Sequence, residues 1–252
     1  MRNSQGFIAK PFSDSKRKTM AQRKKAVFNW SGGKDSALAL QKILQDSEFE
    51  VVSLLTVLNE DTQTSSIHAI PLELLSRQAA SIGIPLYSVP FAKDLSNYEE
   101  KMRETVVHFR KQGVTHFIFG DLHLTEVRAH RESKLQPMGI EVVEPLWGKS
   151  SAEVMEDFLK SGIRSKIIVT QADNLDETFI GKDLDQTTIN AFPEGMDICG
   201  EYGEYHTFSY AGGLFKEAID FSISEKKKIS YDIKLDNGQT KTFEYWQAEL
   251  VS

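Results

Sequence analysis

Two kinds of hydrophobic pattern alternate between residues 26 and 170. AVFNW (26–30), EVVSLLTVL (50–58), PLYSVPF (85–91), THFIFGD (115–121), IEVVEPL (140–146) and residues 164–170 are short aliphatic or aromatic runs, as strands buried on both faces require. Between them DSALALQKILQD (35–46), residues 71–82, NYEEKMRETVVHFRKQG (97–113), TEVRAHRESKLQPMG (125–139) and residues 150–161 carry apolar positions at helical spacing. Gly83 with Pro85, and Gly113, mark helix ends. The alternation predicts an α/β fold, a doubly wound parallel sheet of Rossmann-like type with helices on both faces. Past residue 170 the helical signal weakens and glycines cluster. Asn237-Gly238 then sits between alternating runs in ISYDIKLDNGQTKTFEYWQAEL (229–250), which predicts a terminal β-hairpin. The expected division is a poorly ordered extension over 1–24, a nucleotide-binding domain over 25–170 and a smaller α+β part over 171–252.

The first strand ends in SGGKDS (31–36). Glycines admit close backbone approach to an anion, and the helix that follows points its positive end at the same place. A Walker A loop needs a glycine where this chain has Phe28 and a hydroxyl residue where it has Asp35. The dinucleotide fingerprint needs a spaced third glycine, and Gly32 and Gly33 are adjacent with none following. In a doubly wound sheet, ligands sit beyond the carboxyl ends of the strands where the winding reverses. SGGKDS follows the first strand, and Gly120-Asp121 follows the fourth.

Two further stretches concentrate chemistry. Arg128 and Arg131 in GDLHLTEVRAHRE (120–132) lie three residues apart on one helix face, where they form either a phosphate or carboxylate clamp or local pairs with glutamates. In GMDICGEYGEYHTF (195–208), three glycines surround Glu201, Glu204, Tyr205, His206 and Thr207, in a segment too glycine-rich for a helix. Two carboxylates and an imidazole in one loop suit a general base or an amine site, and a tight loop entering a strand suits the same residues.

SGGKDS after a strand is the signature of the PP-loop ATP pyrophosphatases, which cleave ATP between the α and β phosphates, and the chain resembles that family. TSSIHAIP (64–71), LLSRQAASIGIPL (74–86), GDLHLTEVRAHRE, EPLW (144–147) and CGEYGEYHTF resemble the successive blocks of its diphthine–ammonia ligase branch and its uncharacterised bacterial relatives, over roughly residues 25–215. The resemblance implies ATP held by Ser31, Gly32, Gly33, Lys34, Asp35, Ser36, Gly120 and Asp121, with Mg2+ on Asp35. It implies adenylation of an acceptor carboxylate, then its transfer to ammonia. Lys34 as a mobile charge and Arg128 and Arg131 would offset charge at the α phosphorus, and Glu201, Glu204 or His206 would accept the amine's proton. His68, Glu132, Trp147, Tyr205 and Thr207 fall in the blocks that would face the substrate. Tyr202 stands where that branch usually has asparagine, and LTEVR where it commonly has a sequence like SDYQR, so ATP use is better supported than diphthine use.

Charge and cysteine content narrow the alternatives. Residues 1–25 carry eight Lys or Arg and one acid, which leaves an acidic body that makes nucleic acid an unfavoured partner. No apolar run approaches the length needed to span a bilayer. The single cysteine, Cys199, suits a reducing cytoplasm and gives poor support to a tRNA-thiolating enzyme. A nucleotide-binding sensor without turnover is the reading from another class, and the oligomeric state, a homodimer included, is left open.

Overall fold

The computed structural model describes residues 23–65, 68–94, 96–234 and 240–252. Most of the basic head therefore lies outside the described residues, as does the Asn237-Gly238 turn. The chain runs β1 (Lys24–Asn29), α1 (Lys34–Gln45), β2 (Phe49–Asn59), α2 (Leu72–Ile82), β3 (Leu86–Phe91), α3 (Tyr98–Lys111), β4 (His116–Ile118), α4 (Thr125–Leu135), β5 (Glu141–Val143), α5 (Ser151–Lys160), β6 (Arg164–Gln171), α6 (Gln186–Asn190), β7 (Tyr205–Ala211), β8 (Ser222–Lys234) and β9 (Thr240–Val251).

The first five strands form one parallel sheet in the order β3-β2-β1-β4-β5. Strand alternation divides the core in two. Ala26, Phe28 and Trp30 face a cluster built with α1, α2 and α5, whereas Val27 faces Val106, Phe109 and Leu135 from α3 and α4. The winding reverses between β1 and β4, the predicted location of the ligand side. Helix ends follow local chemistry. Gly83 closes α2 at φ +88°, and Ser150 with Glu153 makes a reciprocal capping box on α5.

β6 departs from the expected alternation. It joins a second, four-stranded sheet in the order β7-β6-β9-β8, pairing antiparallel with both β7 and β9. The buried run IIVT suits a central strand of either sheet type, so sequence pattern alone does not choose its partners. β8 and β9 pair from Ser222–Val251 to Lys234–Thr240, the long hairpin expected around the Asn-Gly turn. This second sheet packs on the α1 side of the parallel sheet. Phe208, Ala248 and Leu250 enter the same core as Leu38 and Leu40.

Candidate active site

A cleft of about 740 Å3 opens at the carboxyl ends of β1, β2 and β4. Part of its lining is apolar, from Leu55, Val57, Tyr98, Met102, Val106 and Phe119, with Glu99, Arg103, His130 and Lys134 lining it as well. Its polar part is made by Ser31 and residues 33–36 of the SGGKDS loop, Gly120-Asp121, Gly200 and Glu201 from the loop before β7, and residues 205–207 on β7. An apolar slot ending in convergent polar groups is the usual form of a small-molecule site.

The glycine loop is fixed from three directions. Gly32 holds φ +85°, and a side chain there would lie 2.9 Å from Ile70 Cδ1. A Cβ on Gly120 would come within 3.1 Å of the backbone between Asp35 and Ser36, so the β4–α4 connection can press against the start of α1. Ser31 Oγ accepts from Gly33 N–H (3.3 Å) and Ser36 Oγ accepts from Ser31 N–H (3.2 Å). From the second sheet, Thr207 Oγ1 accepts the N–H of Lys34 at 2.9 Å, and Ser209 N–H donates to Gly32 O at 2.8 Å. Gln78 adds a buried junction that the sequence did not flag. Its amide donates to Gly32 O (3.0 Å) and Ser209 O (2.6 Å) and accepts from the Trp30 indole (2.9 Å).

Lys34 is not the mobile charge expected. Its side chain is buried, Nζ donates to Asp35 Oδ2 (2.8 Å) and to the Cys199 carbonyl, and it stands 4.9 Å from the Tyr205 ring centre. A cation so enclosed is retained by the carboxylate and carbonyl that replace its water. Asp35 lines the cleft with Oδ1 buried and without a hydrogen-bond partner. Burial raises its carboxyl above the usual range against the pull of Lys34, and Asp121 adds to the rise.

The 195–204 loop is organised by Asp197, a second residue the sequence did not single out, which accepts from the N–H groups of Cys199 (3.2 Å) and Glu201 (2.9 Å). Glu201 faces the cleft and accepts from Leu122 N–H at 3.0 Å, with its carboxyl raised by burial. Glu204 does not line the cleft. It is buried and accepts the Tyr202 N–H at 3.0 Å, a turn-holding contact. Tyr205 is fully buried, with its hydroxyl donating to Ile198 O at 2.6 Å, and its ring borders the cleft. His68 and His206 line the wall nearest Gly33 with ring centres 4.6 Å apart. Burial lowers His68 to about 4 and, with His68 beside it, His206 well below the ordinary imidazole range, so both are neutral at pH 7.

The two predicted arginines part company. Arg131 lines the cleft, forks onto Asp121, and lies 4.1 Å from the Phe119 ring centre. Arg128 turns away to Glu132 (3.0 Å) and the Trp147 ring (4.6 Å), and none of these three lines the cleft. Both arginines reach Glu144, at 3.4 Å each. Among the described residues no group of three His, Cys, Asp or Glu forms a preassembled metal site, and no helix is long and apolar enough to cross a membrane.

Residues 24–142 match the family model described as "Diphthamide synthase N-terminal domain", and residues 150–239 match "Diphthamide synthase C-terminal domain". The junction falls between β5 and α5, which groups β6 with the second sheet. A Bos taurus diphthine–ammonia ligase is 30% identical over 110 residues, 42% of this chain and 41% of its own. A Homo sapiens diphthine–ammonia ligase is 30% identical over 103 residues, 39% of each chain. The similarity to a Rattus norvegicus diphthine–ammonia ligase is lower and longer, 22% over 219 residues, covering 77% of this chain and 82% of that one. The matched segment thus spans about two fifths of the bovine and human relatives.

Proposed function

The chain belongs to the diphthine–ammonia ligase branch of the PP-loop ATP pyrophosphatases, and from that premise we propose that it joins ammonia to a substrate carboxylate at the expense of ATP, releasing AMP and pyrophosphate. The observation that carries this reading is the glycine loop itself. It opens at the β1/β4 reversal into one cleft with an apolar slot on one side and the Glu201–His206 segment on the other.

The apolar slot between β2, α3 and Phe119 accommodates a nucleobase, and the loop at the α1 N-terminus takes the phosphates. The acceptor carboxylate attacks the α phosphorus, the bond to the β phosphate breaks, and pyrophosphate leaves. Arg131 faces that charge from the cleft wall, while buried Lys34 contributes positive potential from beneath. Ammonia then attacks the acyl carbon and AMP departs. Glu201, with its raised carboxyl at the cleft, is the proton acceptor, and neutral His68 and His206 offer lone pairs to the amine. Glu204 supports the turn and takes no part in the chemistry.

The unpartnered buried Asp35 Oδ1 fits Mg2+, which binds by one or two carboxylates together with substrate phosphates. When bound there it would offset charge on the leaving pyrophosphate. Cys199 opposes the thiolating alternative. Its buried thiol donates to Ser151 O at 3.2 Å and is pushed up to about 12, so it is not a thiolate at neutral pH.

The test is to incubate the protein with ATP, magnesium, ammonium and cell extract, and to follow products by mass spectrometry. AMP and pyrophosphate, both lost in Asp35→Ala, together with an extract component that exchanges a hydroxyl for an amino group, are expected. ADP and phosphate, or bound ATP without turnover, would refute the ligase reading.

A further inference from the structure

Glu144 has no task in the chemistry above, yet its placement is costly. It follows directly on β5, its side chain is wholly buried, and Oε2 accepts no hydrogen bond. Burial, and Asp121 nearby, push its carboxyl up against the pull of Arg128 and Arg131. A buried carboxylate of this kind contributes little to stability compared with an apolar side chain of its size, so a role in specificity or geometry is the better account.

The geometry of Arg131 supplies that role. The guanidinium carbon stands over the Phe119 ring at 4.1 Å from its centre, and the group contacts two carboxylates, Asp121 and Glu144. Asp121 is the partner on the cleft wall, and Glu144, outside the cleft lining, is the partner behind it at 3.4 Å. Arg128 is committed to Glu132 and Trp147, and its Nη1 approaches the other oxygen of Glu144. Two arginines therefore face three carboxylates, and only one of the three, Asp121, is on the cleft.

We propose that Glu144 is a positioning residue: it holds Arg131 from behind, so that the guanidinium can exchange Asp121 for a nucleotide phosphate and keep its place. Carboxylate and phosphate present similar oxygen pairs to a guanidinium fork, so the exchange preserves the contact geometry. Without an anchor behind it, an arginine that releases its only carboxylate partner loses orientation as well as charge balance. The inference rests on the ATP-dependent reading above.

The test is isothermal titration of the full chain with magnesium and ATP, and separately with adenosine. Glu144→Gln is expected to weaken ATP binding about tenfold, the equivalent of one well-made polar contact, with adenosine binding unchanged. In an Arg131→Met background the same substitution is expected to have no further effect on ATP, because the residue it positions is gone. ATP affinity unaltered by Glu144→Gln, a parallel loss for adenosine, or an undiminished loss in the Arg131→Met background would each overturn the proposal. Glu144→Asp keeps the charge but shortens its reach; if Glu144→Gln fails to fold, it takes the same three comparisons with the same expected direction. A parent protein that binds adenosine but not ATP, or neither, removes the functional reading and this one with it. ATP binding by the parent that Glu144 variants leave intact removes this one alone.

Discussion

Replacing Gln78 by leucine tests how the glycine loop is held. The side chain is fully buried on α2 and joins three separate segments through Trp30 Nε1, Gly32 O and Ser209 O. Leucine preserves approximate volume and removes every polar contact. Gly32 O keeps the Ser209 N–H at 2.8 Å, so two groups lose this partner outright, the Trp30 indole N–H and the Ser209 carbonyl. Each buried polar group left unpaired costs about 1–3 kcal/mol. The added apolar burial returns about 1 kcal/mol. The expected net loss is about 1–5 kcal/mol, which corresponds to a melting temperature lower by roughly 2–20 °C for a chain of this size. Urea unfolding followed by circular dichroism measures the first quantity. ATP titration, at a temperature where both proteins are folded, tests whether the loop has also shifted, and weaker binding is expected. A stability change under about 0.5 kcal/mol, the range of ordinary surface substitutions, would refute the claim that Gln78 is a structural junction.

Thr207→Val leaves the Lys34 N–H without its acceptor at the start of α1; a loss of about 1–2 kcal/mol is expected in urea unfolding, as for a deleted helix cap, with Thr207→Ser recovering most of it. Gly32→Ala forces a side chain into φ +85° and against Ile70, so a loss of about 1–3 kcal/mol and abolished ATP binding are expected by the same unfolding and titration assays. His68 and His206 are held neutral in the folded chain, with His68 lowered from 6.5 to about 4. The unfolded chain therefore binds more protons between those values, and stability should fall as pH drops from 6.5 towards 4. His68→Gln should flatten that slope in denaturant midpoints collected across the window, and an unchanged slope would count against a half-buried, neutral imidazole.

Much of the parallel sheet was legible because its strands and helices announce themselves locally. AVFNW and EVVSLLTVL are apolar without alternation, and α2 ends at Gly83 because the left-handed turn there suits glycine. β6 was harder for a physical reason. Its run IIVT has nothing in its own pattern that distinguishes a central parallel strand from a central antiparallel one. Its partners lie more than thirty residues downstream, and its register with β7 includes irregularities that break any simple alternation. The family boundary between residues 142 and 150 marks the change where composition does not.

The site was legible where one short segment carries its own chemistry and obscure where a role depends on distant packing. SGGKDS reads as a candidate backbone cradle because adjacent glycines at the start of a helix admit close approach of an anion. The same six residues do not disclose that Lys34 points inward, since that follows from the Cys199 carbonyl and the Tyr205 ring arriving from a different sheet. Glu201 and Glu204 look alike in GEYGEYHTF, and only the turn geometry separates them. One faces the cleft beside Leu122, and the other turns back onto Tyr202 N–H. The same dependence explains why the site is a joint product of the two sheets. The Lys34 N–H is bonded to Thr207 and the Gly32 carbonyl to Ser209, both on β7. An anion cradle whose own backbone groups lack fixed partners relaxes to satisfy itself, because unpaired buried amides are costly. The antiparallel sheet therefore does more than bring His206 to the cleft: it fixes two backbone groups of the loop itself, the Lys34 N–H and the Gly32 carbonyl.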